Sequence, residues 1–329
     1  MTELEISSSA KRRQNIAVGA LLLGTVFWGC GFTWAKAAGE AVQDAAGLPR
    51  EAAFGPVFIL AWRFLLASAI WFVMFPASRR GWTLRGLNWA ILIGIPLGAG
   101  LVVQHVGLDR TTEAVSAFLT SLTILFVPLL MMLVLRKPPR GVLWIGVALA
   151  TAGVWLMTGA QPTGFGWGEI LGIAAAFLFS LYILAVNAAS ARQTPWRMVG
   201  AQFGITALGC FVACACLRGG PANLHLSQMI HILSIRAVYL NLSLLTVFTT
   251  LVSFGLLTFF QPLLDPTRAA LIYLAEPIFA TFYAAIAVGH RAGLMTLAGA
   301  ALILIANVLV EVLSARGAVG AEENLVLID

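Results

Sequence analysis

The chain has 329 residues, of which 60% are hydrophobic and 10% are charged, and its formal net charge is +6. Soluble domains carry about 25% charged residues, so this composition excludes an ordinary soluble domain. The mean hydropathy of +0.92 predicts an integral membrane protein.

Ten apolar runs follow one another along the chain, each about 20 residues long, which is the length a helix needs to cross the hydrocarbon core. They are too long and too uniformly apolar for the strands of a membrane barrel. Helices also satisfy every backbone group in lipid. We number the runs as spans one to ten: 16–36, 54–75, 88–108, 114–135, 140–158, 167–188, 197–217, 238–261, 268–288 and 292–313. The predicted fold class is all-α, a polytopic membrane protein with ten transmembrane helices.

The basic residues are unevenly divided between the two sets of loops. With the N-terminus inside, 13 of them are cytoplasmic and five are external. Basic loops remain in the cytoplasm, so we expect a multi-pass protein of the cytoplasmic (inner) membrane with both termini cytoplasmic. The net charge is then a topology signal, and no nucleic-acid partner is predicted. The cytoplasmic set is Lys11, Arg12, Arg13, Arg79, Arg80, Arg85, Arg136, Lys137, Arg140, Arg192, Arg197, Arg268 and Arg316, and the external set is Arg50, Arg110, Arg218, Arg236 and Arg291.

The two halves of the chain resemble each other at a spacing of 153 residues. The stretch PPRGVLWIGVALATAGVWLM at 138–157 aligns with RAGLMTLAGAALILIANVLV at 291–310, and Gly146 falls on Gly299. Each half therefore holds five spans. Because five is odd, the second half enters the membrane from the opposite side, as in the inverted repeats of many secondary transporters. A duplication for structural reasons alone is the alternative.

The repeat predicts four segments of the chain. A cytoplasmic N-terminal tail covers 1–15, a first five-helix repeat covers 16–158, a second five-helix repeat covers 159–313, and a cytoplasmic C-terminal tail covers 314–329. A substrate site is expected near the midplane, between the repeats.

Several motifs, in order, resemble one transporter family. They are Trp28-Gly29, Arg63-Phe64, AFLTSLTILFVPLL (117–130), GVALATAGVWLM (146–157), GEILGIAAAFLFSLYIL (168–184) and DPTRAALIYLAEPIFATFYA (265–284). Together they are similar to the drug/metabolite transporter superfamily, in its EamA-type family. The resemblance implies ten helices in two five-helix halves. It also implies export, with amino acids and related compounds as frequent substrates.

Glu276 and Pro277 stand side by side inside the apolar run of span nine. A carboxylate near the centre of a span costs roughly 2.5–3.5 kcal/mol on insertion scales. This cost is tolerable where the group faces a wet cavity or pairs with a cation. The proline frees one helix carbonyl, which can face the same cavity. The alternative is a glutamate that bonds to a neighbouring helix for packing alone.

The spacing of 153 residues places Thr120 on Tyr273 and Thr123 on Glu276. Residues three apart share one face of a helix, so these four residues are candidates for lining a cavity between spans four and nine. For the two threonines, a hydroxyl bonded to a carbonyl of its own helix is the alternative.

Arg63 is the second charged candidate, because it lies about ten residues into span two, too deep to reach the surface easily. Its expected partner is Glu276 or Glu169. Paired with Glu276, it would form a structural latch between spans two and nine. Left unpaired, Glu276 could carry a proton, as carboxylates do in many transporters. Both alternatives remain open.

Four further residues complete the predicted substrate site. Gln104, next to His105 at the end of span three, marks an external mouth together with Asp109 and Glu113, but this set is poor for a metal. Trp28 and Tyr182 could form aromatic walls, although core packing is the more common role. Asn187 lies in the part of span six that corresponds to Lys36 in span one.

Residues 222–236 have apolar side chains at helical spacing before span eight. They predict either a short helix on the outer leaflet or the start of a long, tilted span eight.

The sequence thus predicts a secondary transporter, and the family resemblance implies that it exports a small polar or amphipathic metabolite. It has no nucleotide-binding loop, and no cofactor, metal or catalytic residue is predicted. The rival functions are an intramembrane lipid-modifying enzyme and a non-catalytic membrane scaffold. The former needs a convergent set of acid, base or nucleophile, and the latter needs no polar cavity.

Overall fold

A computed structural model of the chain describes residues 3–50, 52–108, 110, 116, 119–133, 136, 141–158, 166–288, 293–295, 297–299, 301–306, 308–309 and 312–313. These residues form helices joined by turns and short extended connections, and no strand occurs among them.

Seven helices among the described residues are long and apolar enough to cross a membrane. They fall on predicted spans one, two, three, six, seven, eight and nine, at Lys11–Ala46, Phe54–Met74, Leu84–Leu108, Trp167–Ser190, Pro195–Cys216, Arg236–Leu263 and Pro266–Ala287. Three shorter apolar helices, Leu119–Leu133, Trp144–Gly153 and Leu297–Ala306, fall on spans four, five and ten. The prediction of an all-α, multi-pass membrane protein is confirmed.

The helix of span one is much longer than its apolar run, since it covers Glu3–Ala46. The run 16–36 marks only the part that matches lipid, and the alanine-rich segment that follows continues the helix because alanine has the highest helix propensity. The helix ends where Gly47 takes a left-handed backbone, with a φ of 64°. The N–H of Leu48 then donates to the carbonyl of Gln43 at 3.0 Å, which completes a glycine-based C-terminal cap.

Two spans are interrupted by a turn. Span four turns at Leu122 before the helix Thr123–Leu133. Span nine consists of Pro266–Tyr273 and Glu276–Val288, with a turn at residues 274–275.

Span eight changes its helical type along its length. It runs as an α-helix over Arg236–Leu244, a π-helix over Leu245–Val252 and an α-helix again over Ser253–Phe260, and it closes with a 3-10 turn at Gln261–Leu263. Span three, the counterpart of span eight in the first half, is α-helical throughout Leu84–Leu108, as span five is over Gly141–Thr158.

The segment before span eight forms a separate short helix, Leu226–Ser234. Ile235 is extended, with φ −68° and ψ 127°, and separates this helix from span eight, which begins at Arg236. Ile232 is buried, whereas Leu226 and Ile230 are exposed. Of the two alternatives for residues 222–236, the structure has the separate helix.

The contacts between helices occur in pairs that correspond between the two halves of the chain. Span three packs on span six, and span eight packs on span one. Span four likewise contacts span six, and span nine contacts span one, while spans two and seven pack on each other across the halves. If each span is replaced by its counterpart in the other half, every one of these contacts corresponds to a contact that is also present, and the contact between spans two and seven corresponds to itself. This is the pattern that an inverted repeat requires.

Glycines permit two of these corresponding contacts. A Cβ atom added to Gly29 in span one would lie 2.7 Å from the backbone nitrogen of Ala280 and 2.7 Å from Cβ of Phe279 in span nine. One added to Gly172 in span six would lie 2.7 Å from Cβ of Leu119 in span four. Small residues let membrane helices approach closely, so span one on nine and span six on four use the same means of packing.

Candidate functional site

A cavity of about 120 Å³ lies among spans one, two, three, four, six, eight and nine. Space of this order admits several waters or a compound near the size of benzene, which occupies an apolar protein cavity of about 150 Å³. Eight of the nine predicted site residues line it: Trp28, Arg63, Gln104, Thr120, Thr123, Tyr182, Tyr273 and Glu276. Asn187 is not part of the lining, and its buried Oδ1 has no hydrogen-bond partner among the described residues.

The two interrupted spans break at corresponding places. In span four the N–H of Leu122 donates to the carbonyl of Leu119 at 3.1 Å, and in span nine the N–H of Ala275 donates to the carbonyl of Ile272 at 3.1 Å. These bonds close tighter turns than an α-helix has. Thr123 and Glu276, each the next residue, begin the second segment of their spans.

Glu276 reaches the cavity from the first turn of the helix Glu276–Val288. Within the part of the chain that the structure describes, its carboxylate has neither a hydrogen bond nor an ion pair. An acidic group in the first turn of a helix is favoured by the helix dipole. Pro277 follows it and has no N–H, so the carbonyl of Tyr273 loses its usual helical donor. The site thus presents a carboxylate that is available to a ligand or to water.

Arg63 lines the same cavity and is only 4% exposed. Its Nε donates to Oγ1 of Thr250 in span eight, and its guanidinium carbon lies 5.2 Å from the ring centre of Phe64. Neither of the two expected pairings is present, since no ion pair joins Arg63 to Glu276 or to Glu169 in the structure. Glu169 instead accepts from the backbone N–H of Gly166 at 2.8 Å, at the start of span six.

The π-helical part of span eight holds two site residues in place. The carbonyl of Thr249 accepts from Nε1 of Trp28 at 3.0 Å. Oγ1 of Thr250 accepts from Arg63 and donates to the carbonyl of Leu245 at 3.0 Å. A π-helix shifts the carbonyls from their α-helical positions and recurs at functional sites. This segment connects span eight to spans one and two.

Two buried glutamines that were not predicted support the tyrosines of the site. The hydroxyl of Tyr273 donates to Oε1 of Gln261 at 2.9 Å, and Nε2 of Gln261 donates to the carbonyl of Ile183 at 2.9 Å. The hydroxyl of Tyr182 lies 3.3 Å from Oε1 of Gln202. An amide side chain within the apolar run of span seven and another at the end of the run of span eight are the sequence signals that could have found them.

The hydroxyls of span four are bonded to nearby backbone, as the alternative for these threonines predicted. Thr120 donates to the carbonyl of Ser116 at 2.9 Å and accepts from Nε2 of Gln104 at 3.0 Å. Thr123 donates to the carbonyl of Thr120 at 2.6 Å, and a second acceptor, the carbonyl of Ala176, lies at 3.3 Å. Lining the cavity and satisfying the backbone are therefore compatible roles for both residues.

Aromatic rings form one wall of the cavity. The ring of Trp28 lies 5.4 Å from that of Tyr273 in an edge-to-face arrangement and 5.1 Å from that of Phe254. The ring of Tyr182 lies 6.1 Å from that of Phe254 on the other side. Trp28 and Tyr182 thus pack in the core and line the cavity at the same time.

The predicted external mouth is described in part. Gln104 and His105 line the cavity, and Nδ1 of His105 is 2.9 Å from the carbonyl of Leu101. Asp109 and Glu113 lie outside the described residues. Among the described residues, no group of three His, Cys, Asp or Glu side chains could hold a metal ion.

Comparison with known proteins gives one family for both halves. The model of the EamA-like transporter family matches residues 15–159 and again residues 166–312. The two matched stretches end 153 residues apart, at 159 and 312, which is the spacing of the internal repeat.

Two individual proteins are similar over nearly the whole chain. An uncharacterized transporter of Archaeoglobus fulgidus (strain ATCC 49558 / DSM 4304 / JCM 9628 / NBRC 100126 / VC-16) is 27% identical over 292 residues, which are 88% of this chain and 84% of that protein. A protein of known crystal structure shares the fold, with a TM-score of 0.63 and 19% identity, and the alignment covers 94% of this chain and 99% of that chain. Because the family model matches both halves, the chain belongs to the EamA-like transporter family.

Proposed function

We propose that the protein is a secondary transporter that moves a small polar or amphipathic metabolite, such as an amino acid or a related compound, out across the cytoplasmic membrane by alternating access. The observation that carries this assignment is the carboxylate of Glu276, which has no partner among the described residues and lies in a cavity between the two halves. Such a group is expensive in a membrane and marks a transport pathway more often than a packing contact. The metabolite class and the outward direction rest on the family resemblance.

The position of the cavity favours alternating access. Its walls come from both halves, so a rocking motion of one half against the other would change access to it. The corresponding turns at Leu122 and Ala275 interrupt one helix beside the cavity in each half. Orientation in the membrane, with both termini cytoplasmic, is part of the same proposal and is supported by the distribution of basic residues.

Glu276 is also the residue we assign to proton coupling, if transport is coupled. It is the acidic side chain among the described residues that line the cavity. A carboxylate with no fixed cationic partner can exchange a proton and a substrate at one site.

The test is counterflow in proteoliposomes. Vesicles are loaded with one unlabelled compound at a time from a panel of amino acids and related metabolites, and entry of the labelled compound is followed. We expect transient accumulation for at least one compound, absent from empty vesicles and reduced by Glu276→Ala but not by the exposed change Asp44→Asn. Absence of counterflow across the panel contradicts the assignment.

The same vesicles separate transport from catalysis. Compounds recovered from the lumen should be chemically unchanged by mass spectrometry. A modified lipid or metabolite would instead favour the rival function, an intramembrane enzyme.

A further inference from the structure

Two side chains of opposite charge, Glu276 and Arg63, line the same cavity. Glu276 belongs to span nine in the second half, and Arg63 belongs to span two in the first half, and the structure has no ion pair between them. A buried charge without a counter-charge is costly. We propose, building on the transport function above, that the ligand is a zwitterion whose ammonium group contacts Glu276 and whose acid group contacts Arg63.

We assign the ammonium group of the ligand to Glu276 because three donors on neighbouring residues already bond elsewhere. The indole N–H of Trp28 donates to Thr249, the hydroxyl of Tyr273 donates to Gln261, and the hydroxyl of Thr123 donates to Thr120. An ionised carboxylate only accepts hydrogen bonds. With these protein donors engaged elsewhere, Glu276 is left to accept from the ligand, and an ammonium group supplies three N–H donors together with the opposite charge.

We assign the acid group of the ligand to Arg63 because the two terminal nitrogens of its guanidinium are available. Its Nε bonds to Thr250, and its two terminal nitrogens, which carry four N–H donors, make no hydrogen bond within the described part of the chain. The hydroxyl of Thr250 is itself fixed on the carbonyl of Leu245, which orients the guanidinium. A planar guanidinium binds a carboxylate or a similar acid group through two parallel hydrogen bonds.

The aromatic wall fits the part of the ligand between the charges. Along the cavity, the ring of Trp28 lies 5.1 Å from that of Phe254 and 5.4 Å from that of Tyr273. A tryptophan ring also attracts a cation, so the ammonium group gains a second contact near Glu276. A small amino acid with an apolar side chain satisfies the two charges and this wall together.

The arrangement gives the ligand a role in the transport cycle. Because each charge sits on a different half, a zwitterion would join the halves and neutralise both buried charges at once. A ligand that carries one charge leaves the other unpaired, which disfavours closure around it. Selectivity then follows from the balance of charge as well as from shape.

The experiment measures binding to the purified full chain in lipid nanodiscs. The probes are L-alanine, L-valine and L-leucine, each beside its amide and its N-acetyl derivative. The amides lack the acid group and the N-acetyl compounds lack the ammonium group. For at least one amino acid we expect affinity roughly 10- to 100-fold above both derivatives, because each derivative leaves a charged group without its hydrogen bonds.

The variants assign each end of the ligand. Glu276→Gln should reduce the preference over the N-acetyl derivative alone, and Arg63→Gln the preference over the amide alone. Glu276→Asp and Arg63→Lys keep the charges and should keep part of each preference, which covers the case in which a glutamine variant does not fold. The controls Asp44→Asn and Arg110→Gln change exposed groups of the same type and should leave all affinities unchanged.

The outcomes separate this inference from the transport function. Equal affinity for an amino acid and its two derivatives overturns the inference, as does failure of all nine probes to bind. Equal loss of all three affinities in either variant overturns the assignment of the two ends. Counterflow of a singly charged or neutral metabolite, without selective binding of a zwitterion, would support the transport function and reject the zwitterion. Selective binding of a zwitterion without any counterflow would support the zwitterion and reject the transport function.

Discussion

Thr123 and Glu276 occupy the same place in two interrupted helices, 153 residues apart in the chain. The turns before them close with hydrogen bonds of the same kind and the same length, 3.1 Å. Span four nevertheless has Ile124 where span nine has Pro277. The interruption therefore belongs to the repeated fold, and the proline alone does not cause it.

The first prediction concerns Pro277. We expect Pro277→Ala to keep span nine interrupted and to change the free energy of unfolding by less than about 1 kcal/mol, because span four breaks without a proline and the alanine N–H restores one helical hydrogen bond at most. Thermal unfolding of the purified protein and counterflow activity measure this. A rise in stability of several kcal/mol together with loss of transport would show that the proline itself creates the break.

The second prediction concerns the stability of Glu276→Gln. Since the carboxylate has no partner in the described structure, removing its charge breaks no ion pair, and the removal of a buried charge should leave the melting temperature unchanged or raise it. Thermal unfolding of the wild type and the variant in one detergent, with Asp44→Asn as control, measures this. A marked fall in melting temperature would instead favour the latch with Arg63, in a conformation different from this one.

The third prediction concerns proton coupling through Glu276. In the wild type, a pH gradient should accelerate net transport. In Glu276→Gln, at substrate concentrations raised to saturate the variant, the gradient should have no effect while exchange between equal concentrations persists, since glutamine cannot titrate. Parallel flux measurements with and without the gradient test this. A gradient that still drives the variant would remove Glu276 from proton coupling.

How much of the site the sequence predicts depends on the kind of pattern. Thr120, Thr123, Tyr273 and Glu276 were predictable, because the internal repeat and the three-residue spacing fix a shared helical face. Both pairs line one cavity in the structure. The residues that bond to Trp28 and Arg63 were not predictable, because Thr249 and Thr250 lie in a π-helical segment of span eight, and an apolar run does not distinguish π from α geometry.

The sequence also could not predict which residues of different spans lie close enough to bond. Charge alone offered Glu276 or Glu169 as the partner of Arg63, yet Arg63 bonds to Thr250 instead. Close approach of two helices depends on particular glycines, such as Gly29 against Phe279. A single sequence shows a glycine but does not show which neighbour it approaches.

The fourth prediction tests that close packing. Gly29→Ala adds a Cβ that would lie 2.7 Å from the backbone of Ala280, so span one must move away from span nine. We expect destabilisation of about 1–3 kcal/mol, the usual cost of overpacking. Gly19→Ala in the same helix is the matched control, because its added Cβ meets nothing within 4 Å and should be neutral or stabilising. Equal melting temperatures for the two variants would contradict the observed contact.

The last prediction separates two adjacent threonines of the π-helical segment. Thr250→Val keeps the shape of the side chain but removes the acceptor of the Arg63 Nε–H, so a buried guanidinium loses its hydrogen bond. We expect a loss of about 1–3 kcal/mol in the free energy of unfolding, together with weaker substrate binding, because the guanidinium is no longer oriented. Thr249→Val is the control, since among the described residues its hydroxyl bonds to the carbonyl of Leu245 and not to Arg63, and its own carbonyl, the acceptor for Trp28, is untouched by the substitution. Denaturation curves and binding titrations on both variants measure the difference. If Thr249→Val proves as damaging as Thr250→Val, the effect belongs to the π-helical segment as a whole, and the bond between Thr250 and Arg63 has no special part in it.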